Sequence, residues 1–141
     1  PAAKALAEQH SRSTFAVLGQ LLAARVAFDA NDMASARAAL QWVIDNARDD
    51  EYKHLARVRL AGVMLDQKEF DAALKLLETS HPAHFEAIYA DRRGDVLFAQ
   101  GKGADARAAW EKAQTSATGA LRSSLEFKLE LVGGKPAPTR S

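Results

Sequence analysis

The chain contains no cysteine. Disulfides and thiolate metal sites are thereby excluded, and the redox state of its compartment leaves no mark on the sequence. Aromatic residues are only 7% of the 141, so large rings cannot fill the interior. Neither sign of charge dominates: 19 Lys and Arg stand against 18 Asp and Glu, a net +1. That balance excludes the basic stripe of a nucleic-acid-binding domain, and no nucleic-acid partner is expected. No apolar run approaches the roughly 20 residues that cross a bilayer. There is no signal-peptide pattern and no initiator Met before Pro1. We expect a fragment whose targeting information lies upstream. β-Branched residues are few and never alternate over a strand-length window.

What is abundant is alanine, the commonest residue, and Leu, Arg, Lys, Glu and Gln fill much of the rest, all strong helix formers. Hydrophobic residues at 48% and charged residues at 26% are those of a globular chain, and the length suits one domain with its own core. Breakers and caps divide it into helix-sized pieces. Helices are expected over Pro1 to His10, Phe15 to Ala30, Met33 to Asn46, Glu51 to Gln67 and Phe70 to Thr79. A further one starts at Ser80-His81-Pro82 and runs to Gln100, and two more cover Ala104 to Thr115 and Thr118 to Val132. The helical domain is thus expected over 1–132, and 133–141, with two prolines and no apolar pattern, is read as a disordered tail.

Three segments share one pattern. A small residue (Ala24, Ala61, Gly94) precedes a large apolar one (Phe28, Leu65, Phe98) by one turn. Twelve residues after each small residue comes an alanine: Ala36, Ala73, Ala106. Two antiparallel helices cross closely only where the contact carries small side chains. A glycine or alanine in the first helix, opposite an alanine early in the second, meets that need. Leu40, Leu77 and Trp110 then fill the space toward the next pair. The spacing resembles the tetratricopeptide repeat, a helix–turn–helix unit of about 34 residues. We therefore expect an all-α fold, a tetratricopeptide-like superhelix of antiparallel helix pairs: about three repeats, an N-terminal half-repeat and a C-terminal capping helix. No single repeat covers its own apolar face, so the stack shares one core.

The resemblance narrows further. The stretches Tyr89 to Leu97, Gln100 to Lys102 and Ala106 to Glu111 resemble the C-terminal repeat of a bacterial family, the ancillary subunit of the SecYEG translocon. Leu55 to Ala61 and Phe70 to Leu74 are similar to its middle repeat, and Pro1 to Lys4 to the start of its helical region. The likeness covers about Pro1 to Val132. It implies a membrane-anchored protein with a tetratricopeptide-like domain on the periplasmic side of the bacterial inner membrane. The implied partners are the SecYEG translocon and a membrane-anchored periplasmic chaperone, and the implied role is helping newly exported chains at the channel exit. The membrane enters only through an anchor that this chain does not include. The alternative is a tetratricopeptide adaptor in an assembly unrelated to export. An apolar helix of about 20 residues upstream of Pro1 would separate the two.

Candidate chemistry is sparse. His81 and His84 are closely spaced, but Pro82 intervenes and no carboxylate cluster joins them, whereas a structural zinc site needs four ligands. They read as a solvated helix start, and no metal or cofactor is expected. Asp91 and Asp95 lie one turn apart and could do acid–base work, but Arg92 and Arg93 beside them point to a charged surface. Gly101-Lys102-Gly103 lacks the strand and the Ser or Thr of a phosphate loop and reads as a turn. No serine sits in a nucleophile elbow. The chain is not read as an enzyme; a convergent polar pocket around Asp91 and Asp95 would reopen that reading.

A binding surface is the positive expectation. In such solenoids the first helix of each pair lines the concave side. That places Leu21 and Arg25, Val58 and Gly62, and Asp91 and Asp95 on or near it, with Arg59 and Arg92 beside them. The mixture suits an extended polypeptide or a partner's loop better than an anionic peptide end. Phe85 and Tyr89 are alternatives, Phe85 more as a packing residue. The last helix, with Leu121, Leu125, Phe127, Leu129 and Val132 on no single stripe, reads as a cap wetted by Arg122, Glu126, Lys128 and Glu130, with partner docking as the other reading.

Overall fold

A computed structural model describes residues 13–133 of the chain. The expected helix over Pro1 to His10 and the tail beyond Gly133 lie outside the described residues.

Short polar side chains start the first helices. Ser13 accepts a hydrogen bond from the Ala16 amide at 3.1 Å and opens α1 (Thr14–Asp29). Asp32 does the same for the Ser35 amide at 3.1 Å and opens α2 (Met33–Asn46). Asp49 caps α3 (Asp50–Asp66), whose first turn also carries Asp50 and Glu51 where the helix dipole favours negative charge. Then follow α4 (Phe70–Leu77), α5 (Glu86–Ala99), α6 (Gly103–Gln114) and α7 (Gly119–Gly133). Gly133 thus closes the last helix; it does not begin the tail.

α5 begins later than the Ser-His-Pro signal suggests. Pro82 is extended, with ψ 156°, and a 3-10 turn over Ala83–Phe85 precedes the helix. The His81 ring fixes this entry. It lies stacked on Tyr89, with centroids 3.8 Å apart, and its Nδ1 is 2.8 Å from the Thr79 carbonyl. Nε2 meets Glu86 Oε2 at 2.6 Å, and Lys112 reaches the other Glu86 oxygen at 3.2 Å. His81 is therefore a packed joint at the entry, where a solvated helix start was expected, because the flat Tyr89 ring offers its face and Glu86 its carboxylate.

The turn between paired helices repeats in its dihedrals. Asn31, Lys68 and Gly101 occupy corresponding positions and all adopt left-handed backbone, with φ of 61°, 62° and 81°. In the first and third turns the same two bonds close the helix end. Asp32 N donates to Ala27 O at 2.8 Å and Asn31 N to Phe28 O at 2.9 Å. Lys102 N donates to Leu97 O at 2.9 Å and Gly101 N to Phe98 O at 3.0 Å. These are the paired bonds of a Schellman stop, which a left-handed residue makes possible.

The chain divides after Gln67 into two compact units. In the first, α1 packs on α2 and α2 on α3, and α1 also touches α3. In the second, α4 packs on α5, α5 on α6 and α6 on α7. The fold is all-α, and within each unit consecutive antiparallel helices pack in order, as in tetratricopeptide-like domains. No strand occurs among the described residues.

Alanine permits the close packing. Ala24, Ala36, Ala61, Ala73 and Ala106 are all buried, with Ala39, Ala56 and Ala90 beside them in the sequence pattern. In the second unit Ala87, Ala90, Ala106, Ala113 and Ala117 surround Trp110 and Leu125. Gly94 of α5 faces the Trp110 indole so closely that a Cβ there would overlap the ring.

Candidate functional site

α1 carries two apolar faces. Val17, Leu21 and Ala24 are buried. On the opposite side Phe15, Leu18, Leu22 and Val26 follow one another at helical spacing and stand in solvent, Phe15 at 88%, Leu22 at 64% and Val26 at 61% exposure. A shallow groove runs beside them, floored by Gly19, Ala23 and Ala27. The stripe from Phe15 to Val26 is about 16 Å long at the helical rise of 1.5 Å per residue.

The repeat shows what differs in the next pair. Leu22 corresponds to Arg59 of α3, Arg25 to Gly62, and Gly19, Ala23 and Val26 to Ala56, Leu60 and Val63. On α3, against which α2 packs, those last three are buried. On α1 their counterparts Ala23 and Val26 are exposed. Arg59 stays exposed, like Leu22, and so does Arg25. Burial, and then the nearby Arg25 charge, hold the Arg59 guanidinium below its ordinary pKa. Two guanidinium groups thus sit close enough to repel, on adjacent first helices. Neither forms an ion pair or a side-chain hydrogen bond with a described residue.

The expected partner-binding residues therefore separate. Arg25, Arg59 and the half-buried Gly62 belong to this outward face. Leu21 and Val58 do not: they are 5% and 7% exposed, because their positions face the neighbouring helices, and Leu22 takes the outward place. Sequence reasoning missed the stripe, although Phe15, Leu18, Leu22 and Val26 recur at about one apolar side chain per turn.

Asp91, Arg92 and Asp95 lie elsewhere, in a clasp within the second unit. Lys128 Nζ of α7 meets Asp91 Oδ1 and Asp95 Oδ1, both at 2.8 Å. Trp110 Nε1 donates to the Asp91 carbonyl at 3.1 Å and to Asp95 Oδ1 at 3.3 Å. Arg92 holds the other Asp95 oxygen at 3.3 Å. The two carboxylates are 15% exposed. Burial works first to raise the Asp95 pKa; Lys128 opposes it, Asp91 adds to it, and the result lies above the ordinary value. Burial works against the Lys128 ammonium, but its bonds to Asp91 and Asp95 outweigh this and raise its pKa. The Lys128 ammonium thus holds both carboxylates, and the indole N–H adds a second donor to that of Asp95. The clasp joins three helices and explains why Lys128, expected on the wet side of the cap, is half-buried. Nothing in local sequence announces a partner 33 and 37 residues away. No group of three or more metal-ligating side chains occurs among the described residues, at His81 and His84 or elsewhere. No described helix is long and apolar enough to cross a membrane.

The model of the tetratricopeptide repeat-like domain family matches residues 1–134. Relatives from several bacteria carry the name ancillary SecYEG translocon subunit. The chain is 35% identical to that of Escherichia coli over 130 residues, 92% of this chain and 63% of the relative. It is 38% identical to that of Neisseria gonorrhoeae over 101 residues, 72% of this chain and 48% of the relative. It is 28% identical to that of Haemophilus influenzae over 122 residues, 86% and 60% of the two chains. The chain thus spans about half to two thirds of the length of these relatives. No solved structure gives a significant match. With helix pairs of this kind matched along nearly all of its length, the chain belongs to the tetratricopeptide repeat-like domain family and is a homologue of the ancillary SecYEG translocon subunits.

Proposed function

We propose that the chain is a non-enzymatic protein–protein interaction module, the periplasmic domain of a membrane-anchored subunit that works beside the SecYEG translocon. In this reading it passes newly exported polypeptides to a membrane-anchored chaperone at the periplasmic face of the inner membrane. The observation that carries the reading is the outward apolar stripe of α1 on a chain homologous to these subunits. A helix face of this kind lowers its free energy by covering itself with another polypeptide, at roughly 25 cal/mol per Å² of apolar surface buried. Arg25 and Arg59 border it and set the charge that a partner must bring. The clasp at Lys128 has the supporting part of ending the stack.

Affinity capture of the full-length protein from gently solubilised membranes tests the proposal. Recovery of the translocon and an anchored chaperone, reduced by Leu22→Ser, is the expected result. Capture of neither, with the tagged protein intact in the membrane fraction, overturns the export assignment.

A further inference from the structure

We infer that the outward face of α1 and α3 receives an acidic amphipathic helix from a partner protein. Its apolar side covers Phe15, Leu18, Leu22 and Val26, and its carboxylates meet Arg25 and Arg59. The inference rests on the interaction reading above and adds the chemistry of the partner.

Three observations carry it. The stripe is continuous over about three helical turns, the footprint of a helix laid in a groove, where anchors recur every third or fourth residue. One edge of it repeats a helix-packing position: Val63, the α3 counterpart of Val26, is buried beside Ala56 and Leu60, and α2 packs on that helix. At the edge toward α3 stand two guanidinium groups with no ion-pair partner among the described residues. A carboxylate between them relieves their repulsion and accepts the forked hydrogen bonds that arginine offers. Asp29, one turn beyond Arg25, forms no ion pair with it.

A basic helix would add a third positive charge to the pair, and an uncharged one would leave their repulsion unrelieved. An acidic helix satisfies both the apolar and the charged parts of the face.

The test uses fluorescently labelled synthetic helices of about 16 residues, long enough for the stripe. One has a leucine stripe edged with glutamate. A second has lysine in place of every glutamate, and a separate 12-residue peptide has the sequence of residues 1–12. Binding to the chain is read by anisotropy at about 50 and about 300 mM salt. The glutamate helix is expected to bind about tenfold or more tightly than the lysine helix, with the gap shrinking in high salt. Arg25→Glu combined with Arg59→Glu should reverse that order, and Leu22→Ser should weaken both helices. Circular dichroism confirms that these surface variants stay folded.

Equal binding of both helices, abolished by Leu22→Ser, would overturn the acidic preference while leaving the interaction surface standing. Binding of neither would remove the surface as well. Tighter binding of the 1–12 peptide would make the occupant a segment of this chain. A dimer dissolved by Leu22→Ser would make it a second copy. Binding of vesicles of anionic phospholipid in preference to the glutamate helix would make it a membrane. Each of these three outcomes overturns the inference.

Discussion

Substituting alanine for Gly94 places one methyl group against a ring that is buried and hydrogen-bonded. Trp110 is 3% exposed and its Nε1 is bonded to the Asp91 carbonyl at 3.1 Å and to Asp95 at 3.3 Å. The added Cβ would overlap Cδ1 and Nε1 of the indole, so the ring or α5 must shift. Overpacking of this kind costs about 1–3 kcal/mol. Loosening the indole hydrogen bonds adds about 1 kcal/mol. The better helix propensity of alanine returns about 1 kcal/mol. The net expectation is a loss of about 1–3 kcal/mol, a fall in Tm of about 3–10 °C for a chain of this size. Gly19→Ala is the control, because nothing lies within 4 Å of a Cβ there and the residue sits within α1. It should stabilise by about 0.5–1 kcal/mol. Urea unfolding followed by circular dichroism measures both. Emission from Trp110 in a Trp42→Phe background reports whether the indole has moved toward water. If Gly94→Ala matches the control in stability and leaves the emission unshifted, the argument from close helix crossing is refuted.

Lys128→Met leaves Asp91 and Asp95 one turn apart without their shared cation, and a loss of about 2–3 kcal/mol at neutral pH is expected, measured by urea unfolding. Because the native lysine pKa is raised, the contribution of Lys128 is fully present below the ordinary value of 10.5 and is lost as pH rises through the raised one. The gap between wild type and variant should therefore close in strong base, and a gap that persists there would exclude an electrostatic origin. Glu86 has the opposite sign. Burial pushes its carboxyl up, but hydrogen bonds from His81 and Lys112 outweigh this and lower it below 4.5. Its stabilisation is present above 4.5 and lost as pH falls through the lowered value, so Glu86→Gln should flatten the acid limb of the stability profile.

Helix positions were largely legible because their signals are local. Ser13, Asp32 and Asp49 cap where their side chains can reach an amide two or three residues on, and α2 begins and ends where its breakers stand. The repeat was legible because close crossing demands small residues at fixed intervals, as Ala36, Ala73 and Ala106 show. The left-handed turn was hidden at Lys68, since only Gly101 and Asn31 are residues that favour that conformation. The outward side of α1 was misplaced by one residue, Leu21 for Leu22, because both are leucines and a wheel of apolar residues does not mark its own inside. The clasp was not legible at all. Asp91, Asp95, Trp110 and Lys128 come together through the packing of three helices, and each alone reads as ordinary surface or core.

The Lys128 clasp also has a bearing on how the array of helices stops. A seam made of Leu121, Leu125 and Leu129 alone would tolerate a slide by one turn, because one leucine can replace the next in the same gap. An ammonium shared by two carboxylates has no such substitute. A shift of one turn would strand two negative charges and a positive one in poorly hydrated surroundings. The terminal rod is thus keyed in one position, like a bolt that engages a single notch, and a foreign helix offering only grease could not take its place.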